Sequence, residues 1–582
     1  MNNNNPFEYE AANKFNDSKI LEFYIQDYNY SRFIKSRRNI FLIGERGTGK
    51  TMTLLYNSFP VQFLKSNIEK KETDLQIISI YVPCNTPLTH KREYQLIDDF
   101  GASVISEHFF VLSIMYSITD TLSNIPNLFL DSEEISVKQD IQFVMGISLP
   151  QDRPILDSLK MYINREVSEA QRAINAKKLD VFYDNAISFN SGVLPLINCF
   201  KNADKLKNSH FSFLIDDAHD LNPHQIETLN SWIAYRDNSL ISFKVATAKV
   251  DEPSFITSSG GTILEGHDYT VVDMEQPYQN KFSDFGKLAR KIIEKRLEQL
   301  CIKKTPEEFF PVNKQLETDL EECKNKVKLE AKKKYPDGNS KQISDYVYKY
   351  YRAEYFRSRS PKANLPPYSG FEILIHLSTG VIRNLLEPCY WMYDSVISDI
   401  RSTPSFQEGS DICVDQIPSN IQTEVIISRS KKKWEWIKNK LDKSIEGCSM
   451  TDAEQIYHLF DNLSIHFKER LLKHKSEPRA ISFTISEQNS VDFKKVEELL
   501  RLARKAQILY TYTSSAKDHG KRETYYVPNR ILWPDRGLDP IGQHARVSLK
   551  ASDLYLAATE NKLIELTIDE DKPSRQRSLF DE

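Results

Sequence analysis

The pattern of apolar and polar positions predicts an α/β core in the first part of the chain. Apolar runs of strand length, each followed by a turn or a helical pattern, occur at residues 41–43, 211–215 and 240–248. The longest apolar stretch, residues 108–118, is too short and too polar to span a bilayer, so it predicts a buried helix. Runs of strand length that alternate with helices are typical of a parallel sheet.

The last part of the chain has a different pattern, typical of a smaller α+β domain. A helical pattern at residues 492–507 is flanked by strand patterns at residues 480–486, 508–513 and 523–529. The last two strands enclose a polar, basic segment that contains Gly520, which predicts a hairpin with a basic tip. The segment after it, residues 530–549, is rich in Gly and Pro and predicts an ordered loop.

The first apolar run is followed by the segment GERGTGKT and then by a helical pattern. This strand, loop and helix fit the motif G-x-x-x-x-G-K-[ST], in which glycines let backbone N–H groups surround phosphates. Lys50 supplies a cation for the β- and γ-phosphates, and the hydroxyl of Thr51 is suited to bind Mg²⁺. We therefore predict a site for ATP and Mg²⁺ formed by Gly44, Glu45, Arg46, Gly47, Thr48, Gly49, Lys50 and Thr51.

The second apolar run ends at two adjacent carboxylates, Asp216 and Asp217. Asp216 is placed to bind Mg²⁺, and Asp217 is placed to act as the base that orients the attacking water. A helical pattern and a further strand pattern follow. This order matches a doubly wound core with a phosphate-binding loop.

Three segments resemble the AAA+ ATPases of the origin-recognition-complex (ORC) type, namely FLIDDAHDLN at 213–222, DMEQPYQNKFSDFGKLARKIIEKRLE at 273–298 and STGVIRNLLEPC at 378–389. The resemblance implies an AAA+ core, a helical lid and a winged-helix domain after the lid. It also implies that Arg383 reaches the γ-phosphate from the lid and that Thr247 is the polar sensor-1 residue.

The chain departs from this pattern in three ways. The second acid is Asp217 where the family usually has Glu, and the pair of aspartates also resembles the STAND class of signalling ATPases. No arginine occurs between Arg236 and Arg290, the interval that should hold an arginine finger. The interval from Lys50 to Asp216 is longer than a bare core needs. These departures favour a slow, ATP-dependent switch over fast hydrolysis activated in trans.

The expected domain organisation follows from these assignments. It comprises a nucleotide-binding core at 1–275 with a helical insertion at about 130–180, a helical lid at 276–400 with a basic and aromatic insertion at about 305–368, a linker at 401–450, a winged-helix-like domain at 451–565 and a disordered tail at 566–582. Of the tyrosines in the lid insertion, most are expected to pack, and its arginine-rich end is a candidate phosphate contact.

Candidate contacts with duplex DNA lie in the winged-helix-like domain. The net charge is −4, so any contact with nucleic acid must use local basic patches. The first patch is on the predicted helix and contains Lys494, Lys495, Arg501, Arg504 and Lys505. The second is the tip of the hairpin and contains Lys517, Lys521 and Arg522. Winged helices also serve as protein–protein modules, and that alternative stays open.

Composition narrows the setting of the protein. The seven cysteines lie far apart and form no C-x-x-C pair, which indicates neither a zinc site nor a disulfide framework. A cytoplasmic location without a membrane segment is the expectation.

In the tail, Gln576, Leu579 and Phe580 resemble the Q-x-[SD]-L-F peptide that docks bacterial replication and repair proteins on the sliding clamp. Docking of Leu579 and Phe580 on the chain's own surface is the alternative.

The leading functional hypothesis is an AAA+ ATPase that binds and slowly hydrolyses ATP and acts as an ATP-dependent DNA-binding switch or assembly factor. The first alternative is a STAND-like signalling ATPase of antiviral defence that oligomerises and recruits a separate effector. The second is an adaptor that binds ATP and never hydrolyses it. A homo-oligomer, or a complex with an effector protein, is expected in either of the first two cases.

Overall fold

The structure, a computed structural model, describes residues 5–9, 12–26, 30–86, 93–94, 97–176, 178, 185–235, 239–249, 254–274, 284–336, 338–360, 364–403, 412, 414–473, 476–514, 523–542 and 546–566. The chain forms two compact units. We call residues 10–275 the N-terminal unit, and residues 276–582 together with 1–9 the C-terminal unit.

The N-terminal unit is built on a five-stranded sheet in which every pair of neighbouring strands is parallel. Its strand order is β2-β3-β4-β1-β5. Every residue of β3 and β4 is buried, as expected of a parallel sheet covered on both faces. The strands are β1 Ile40–Ile43, β2 Ile77–Pro83, β3 His210–Asp216, β4 Ile241–Thr247 and β5 Thr270–Asp273. The predicted α/β fold class is confirmed, although β2 and β5 have no counterpart among the strands predicted from the sequence.

Nine described helices accompany this sheet. They are α1 Asp17–Phe23, α2 Tyr30–Ile34, α3 Lys50–Tyr56, α4 Phe59–Glu69, α5 Asp99–Leu122, α6 Asp131–Met145, α7 Ile155–Asn175, α8 Val193–Phe200 and α9 Pro223–Ala234. The segment predicted as a helical insertion contains α6 and α7. Helix α9 begins at a capping box, in which Asn222 and Gln225 satisfy each other's backbone N–H groups.

Helix α5 contains the longest apolar stretch of the sequence. Among the described residues it is the one helix that is long and apolar enough, by length and composition alone, to cross a membrane, and 72% of its most apolar window is buried. Its side chains Phe109 to Leu112 and Ile114, Met115 and Ile118 are buried in the protein core. This matches the prediction of a buried helix.

The C-terminal unit contains a largely helical part and a second sheet. Its helices are α10 Asp284–Gln299, α11 Pro306–Phe309, α12 Lys314–Lys334, α13 Ser340–Ser358, α14 Phe371–Leu377, α15 Ile382–Ser402, α16 Ser419–Ser444, α17 Met450–Lys473, α18 Val491–Lys505 and α19 Ala551–Thr559. Helices α12 and α13 form a hairpin, and α13 packs on α17.

Residues 419–444 of the segment predicted as a linker instead form a helix with a buried face. Helix α16 covers 26 residues, and a buried stripe runs along it through Val425, Ser430, Trp434 and Leu441. The indole Nε1 of Trp434 donates a hydrogen bond to the carbonyl oxygen of Leu532 at 2.9 Å. The prediction of a linker was therefore wrong for residues 419–444.

The second sheet has four strands in the order β7-β8-β6-β9, namely β6 Phe483–Ser486, β7 Leu509–Ser514, β8 Glu523–Pro528 and β9 Val547–Lys550. Strands β7 and β8 form the predicted antiparallel hairpin, and α18 is the one helix between β6 and β7. The region predicted as an irregular loop forms two short 3₁₀ helices, Arg530–Leu532 and Pro534–Arg536, and then β9. The loop prediction was therefore wrong for β9, which pairs in parallel with β6. That pairing joins residues about 64 positions apart (547 − 483), so local composition does not reveal it.

Candidate active site

The predicted site residues of the N-terminal unit meet at the carboxyl edge of the parallel sheet. Strands β1 and β4 pair with Ile43 opposite Thr247, and β2 and β3 pair with Pro83 opposite Asp216. The loop that contains Lys50 leaves the sheet directly after Ile43. Parallel strands place their carboxyl ends at one edge, which is where open α/β sheets bind ligands.

The phosphate-binding loop has the backbone that its glycines allow. Gly47 and Gly49 have φ values of 90° and 100°, a region in which a side chain would be strained. Gly49 precedes the first turn of α3, so the N-terminal N–H groups of this helix face the loop. The Nζ atom of Lys50 donates hydrogen bonds to the carbonyl oxygens of Gly44 at 2.6 Å and Glu45 at 3.0 Å. Phosphate oxygens are stronger acceptors than these carbonyls for the same ammonium group.

Asp216 is fully buried at the end of β3 and is held by hydroxyl groups from two other elements. The hydroxyl of Tyr81 on β2 donates to Asp216 Oδ2 at 2.8 Å, and the hydroxyl of Thr51 also bonds to this carboxylate. Burial and then the nearby charge of Asp217 raise the pKa of Asp216 to about 6. A carboxylate beside a hydroxyl, next to a phosphate-binding loop, is a donor set that suits Mg²⁺.

Asp217 has an unusual backbone conformation. Its φ of 53° and ψ of 42° lie in the left-handed region, which Asp tolerates better than most residues. Its backbone N–H donates to Asp216 Oδ1 at 3.1 Å, and its side chain is half-buried. The turn thus directs two consecutive carboxylates differently, one into the sheet edge and one to a more open position.

Thr247 is buried at the end of β4, beside the strand that leads into the loop. Arg383 is the second residue of α15 in the C-terminal unit and is half-buried. The turn before α15 is held by β7 and the segment after β8, because the Tyr512 hydroxyl donates to the Thr379 carbonyl oxygen at 3.2 Å and the Arg530 N–H donates to Thr379 Oγ1 at 3.1 Å. The roles of Thr247 and Arg383 toward a nucleotide stay predictions.

Tyr81 and His219 are site residues that were not predicted from the sequence. Tyr81 lies beside Asp216 because β2 pairs with β3 in the register that places Pro83 opposite Asp216. His219 lies on the 3₁₀ turn after Asp217, and its Nε2 is 3.0 Å from Nη2 of Arg46 in the loop. Burial is the main cause that lowers the pKa of His219, and the neighbouring Asp220 opposes it. The feature of the sequence that could have identified His219 as a site residue is its position two residues after Asp217.

The candidate DNA surface on α18 is partly exposed. Lys494 and Lys495 are exposed, whereas Arg501, Arg504 and Lys505 are half-buried, and Arg501 pairs with Glu498 at 2.6 Å. Nζ of Lys495 lies 4.7 Å from the ring centre of Tyr555. The hairpin tip, with Lys517, Lys521 and Arg522, lies outside the described residues, as does the tail with Gln576, Leu579 and Phe580.

The arginine-rich end of the lid insertion has structural partners. Arg352 is buried and donates two hydrogen bonds to Asp539, at 2.7 and 2.8 Å. Arg357 donates to the carbonyl oxygen of Leu471 at 3.1 Å, and Arg359 donates to the Tyr355 hydroxyl at 2.9 Å. Arg352 is therefore unavailable to phosphate, because its charge is already paired in the interior. A phosphate contact at the arginine-rich end of the insertion stays a prediction. The prediction that most tyrosines pack agrees with the buried Tyr355 and with the hydrogen bond from Tyr350 to the Ser476 carbonyl.

The sheet order, the glycine-rich loop and the acid at the end of β3 define an α/β core of the AAA+ class. A family model described as ORC-CDC6-like matches residues 5–329 and 312–549. Because these matches cover most of the sequence, the chain belongs to the ORC-CDC6-like family. The predicted resemblance to ORC-type AAA+ ATPases is confirmed, and so is the predicted fold of core, lid and winged-helix domain.

Three solved structures similar to the chain come from Pyrobaculum aerophilum and Aeropyrum pernix. Cdc6p of Pyrobaculum aerophilum is 11% identical, with 96% of this chain and 97% of that chain covered and a TM-score of 0.30. Orc1 of Aeropyrum pernix in complex with DNA is 10% identical, with 88% and 93% covered and a TM-score of 0.29. Orc2 of Aeropyrum pernix, in ADPNP–ADP complexes, is 11% identical, with 94% and 92% covered and a TM-score of 0.26. No curated protein matches the chain.

Proposed function

We propose that this protein binds ATP with Mg²⁺, hydrolyses it slowly and uses the nucleotide state to control its grip on DNA. The observation that carries the proposal is the meeting of Lys50, Thr51, Asp216 and Asp217 at one edge of a parallel sheet. Each of these side chains has the chemical character that its assigned step needs. The family assignment supports the same class of protein.

Each residue has a distinct part in the proposed reaction. The N–H groups of the loop and of the first turn of α3 bind the phosphates, and Lys50 neutralises charge on the β- and γ-phosphates. Thr51 and Asp216 would hold Mg²⁺, which supplies charge neutralisation between the phosphates. Asp217 orients the attacking water, and Thr247 donates a hydroxyl from the adjacent strand. Arg383 would make the position of the lid depend on the γ-phosphate.

The ATP-binding part is tested by calorimetry with ATP and Mg²⁺. Lys50→Ala removes the ammonium group that the loop positions, so ATP binding should fall below detection while the helical circular dichroism stays unchanged. Affinity equal to the native protein would overturn the proposed site.

The hydrolytic part is tested by Asp217→Asn. The amide keeps the size of the side chain but cannot accept a proton from water, so ATP should remain bound while turnover falls by at least ~100-fold. Turnover at the native rate would show that Asp217 is not the base. An adaptor that never hydrolyses ATP would show no turnover in the native protein.

The DNA-binding part rests on the ORC-type family and on the exposed lysines of α18. Binding should be stronger with ATP than with ADP, because only ATP offers a γ-phosphate to Arg383. A cytoplasmic location and a homo-oligomeric or hetero-complex state remain part of this proposal. Nothing in the comparisons favours the STAND-like alternative, an effector protein or the sliding clamp.

A further inference from the structure

Arg46 connects the phosphate-binding loop to the turn that follows Asp217. It is the third residue of the loop, and its Nη2 lies 3.0 Å from His219 Nε2 and 3.7 Å from Asp220 Oδ1. The two segments are 173 residues apart in sequence. The side chain therefore spans the gap between the segment that carries Lys50 and the segment that carries Asp217.

His219 receives the guanidinium group as a neutral acceptor. A guanidinium group has only donors, so Nε2 of His219 must be the acceptor and the ring proton must be on Nδ1. The side chain of His219 is 6% exposed, and its Nδ1 is buried without a hydrogen-bond partner among the described residues. The buried neutral ring accepts a hydrogen bond from the arginine without adding a second positive charge.

The pair of Arg46 and His219 lies near residues that are proposed to act in ATP hydrolysis. The charged groups that act on His219 include Asp220, Arg46, Asp217 and Lys50, so the ring that contacts Arg46 is within electrostatic range of both the phosphate-binding ammonium and the proposed base. The side chain of Arg46 is 58% exposed, so it can turn toward a phosphate without breaking a packed core. The segment from Arg236 to Arg290, where a finger arginine was expected, supplies none.

We propose that Arg46 is a γ-phosphate ligand that the loop supplies in cis, and that His219 and Asp220 hold it in place before the nucleotide binds. Guanidinium groups match phosphate oxygens in two-point contacts, and an arginine that stabilises the transition state of phosphoryl transfer can come from the same chain. The inference rests on the proposed ATPase function and adds a catalytic residue and two positioning residues to it.

The first experiment measures affinity and needs no turnover. Arg46→Ala and native protein are titrated with ADP and with the non-hydrolysable imido analogue of ATP, both with Mg²⁺. Affinity for the ATP analogue should fall about tenfold, worth about 1.4 kcal/mol, while affinity for ADP changes less than about twofold. The control Arg165→Ala, which removes an exposed arginine paired with Glu169 on α7, should change neither. Equal losses for both nucleotides in Arg46→Ala would overturn the inference.

The second experiment measures turnover. Arg46→Ala should lower kcat at least ~100-fold and raise KM by about the same tenfold as the loss of ATP affinity, because KM approaches the dissociation constant when the chemical step is slow. Millimolar guanidinium should restore part of the rate. His219→Ala should lower kcat about tenfold, and His219→Gln, whose amide oxygen accepts the same hydrogen bond, should regain most of it. Native kcat in Arg46→Ala would reject the catalytic role and leave the proposed ATPase function standing.

The third experiment distinguishes cis from trans action. Lys50→Ala keeps Arg46 but binds no nucleotide, whereas Arg46→Ala binds nucleotide but lacks the arginine. Mixtures of the two should show no more activity than Arg46→Ala alone if Arg46 acts within its own chain. Recovery of activity on mixing would show that a neighbouring chain supplies the arginine and would overturn the inference.

Discussion

Single residues at the sheet edge show how a short motif depends on partners from distant parts of the chain. The sequence identifies Asp216 as a candidate ligand because it ends an apolar run. The orientation of its carboxylate, however, is set by Tyr81, 135 residues earlier. The tyrosine donates to one carboxylate oxygen and leaves the other to the backbone N–H of Asp217. A hydrogen bond of this kind fixes a metal-binding carboxylate without contacting the metal itself.

Tyr81→Phe should therefore weaken the response to Mg²⁺ more than the response to ATP. Loss of the hydroxyl frees Asp216 to rotate, so the Mg²⁺ concentration for half-maximal ATPase activity should rise about tenfold. The measurement is a Mg²⁺ titration of activity at saturating ATP. The control is Tyr116→Phe, a change at an exposed tyrosine of α5. A purely structural role for Tyr81 would lower stability and leave the Mg²⁺ midpoint unchanged.

Lys244 gives the N-terminal unit a stability that depends on pH. It is fully buried in β4, where its Nζ donates to Ser242 Oγ at 3.0 Å and to the carbonyl oxygen of Arg38. Burial lowers the pKa of Lys244 to about 7 from 10.5. Between these two values the unfolded chain binds more protons than the folded one, so the free energy of unfolding rises with pH.

The gain from pH 7 to pH 9 should be on the order of 1–3 kcal/mol. Urea unfolding at the two pH values measures it, with Lys244→Met as the control because a methionine of similar length does not titrate. If the native protein and Lys244→Met show the same pH dependence, Lys244 is charged in the folded protein.

At the scale of elements, the C-terminal unit is held together by contacts between helices and strands, and the local sequence does not predict which elements contact each other. Helix α13 places Arg352 against Asp539, which follows the second 3₁₀ helix, 187 residues later. Arg479, just before β6, is buried near the same carboxylate and donates to the carbonyl oxygen of Ile541 at 3.1 Å. One carboxylate thus faces two buried guanidinium groups from separate elements.

Asp539→Asn should destabilise the protein strongly, because it leaves two buried positive charges without a counter-charge. The expected loss is about 3–5 kcal/mol, measured as a shift of the urea midpoint. The control Glu498→Gln breaks the surface pair with Arg501 on α18 and should cost less than ~1 kcal/mol. Equal small losses in both variants would mean that water reaches Arg352.

At the scale of the whole molecule, the net charge of −4 means that DNA binding depends on where positive charge is concentrated. Lys494 and Lys495 lie side by side, exposed, on α18. The cation–π contact with Tyr555 gives Lys495 a defined position. Among the described residues, Lys494 and Lys495 are therefore the candidate DNA contacts to test first.

Neutralising Lys494 and Lys495 together should weaken binding to duplex DNA and flatten the plot of log K against log salt. Each lost phosphate contact removes about 0.9 from the slope, so a change of about two is expected. Fluorescence anisotropy at several salt concentrations measures it. The control removes two exposed lysines of α12, Lys328 and Lys332, with the same change in net charge. Equal effects of the two double variants would show that α18 has no specific contact.

The sequence by itself determined where the proposed nucleotide site lies. The loop from Gly44 to Thr51, the acids Asp216 and Asp217, and Thr247 each follow an apolar run of strand length, and parallel pairing brings strand ends to one edge. Local turn geometry is encoded locally, since Gly47 and Gly49 permit positive φ values and Asp217 tolerates one. The buried character of α5 was also evident from its composition.

Only the tertiary structure decided which distant residues complete these features. The local sequence does not indicate the partners of Tyr81 and His219. It also does not indicate that Arg352, in the basic and aromatic lid insertion, pairs with Asp539 in the interior. The charged segment in α16 had the composition of a linker, but burial of its Trp434 stripe made it a core helix. These outcomes depend on contacts between residues about a hundred or more positions apart. Burial and charge pairing decide such contacts, and neither is a property of a local window of sequence.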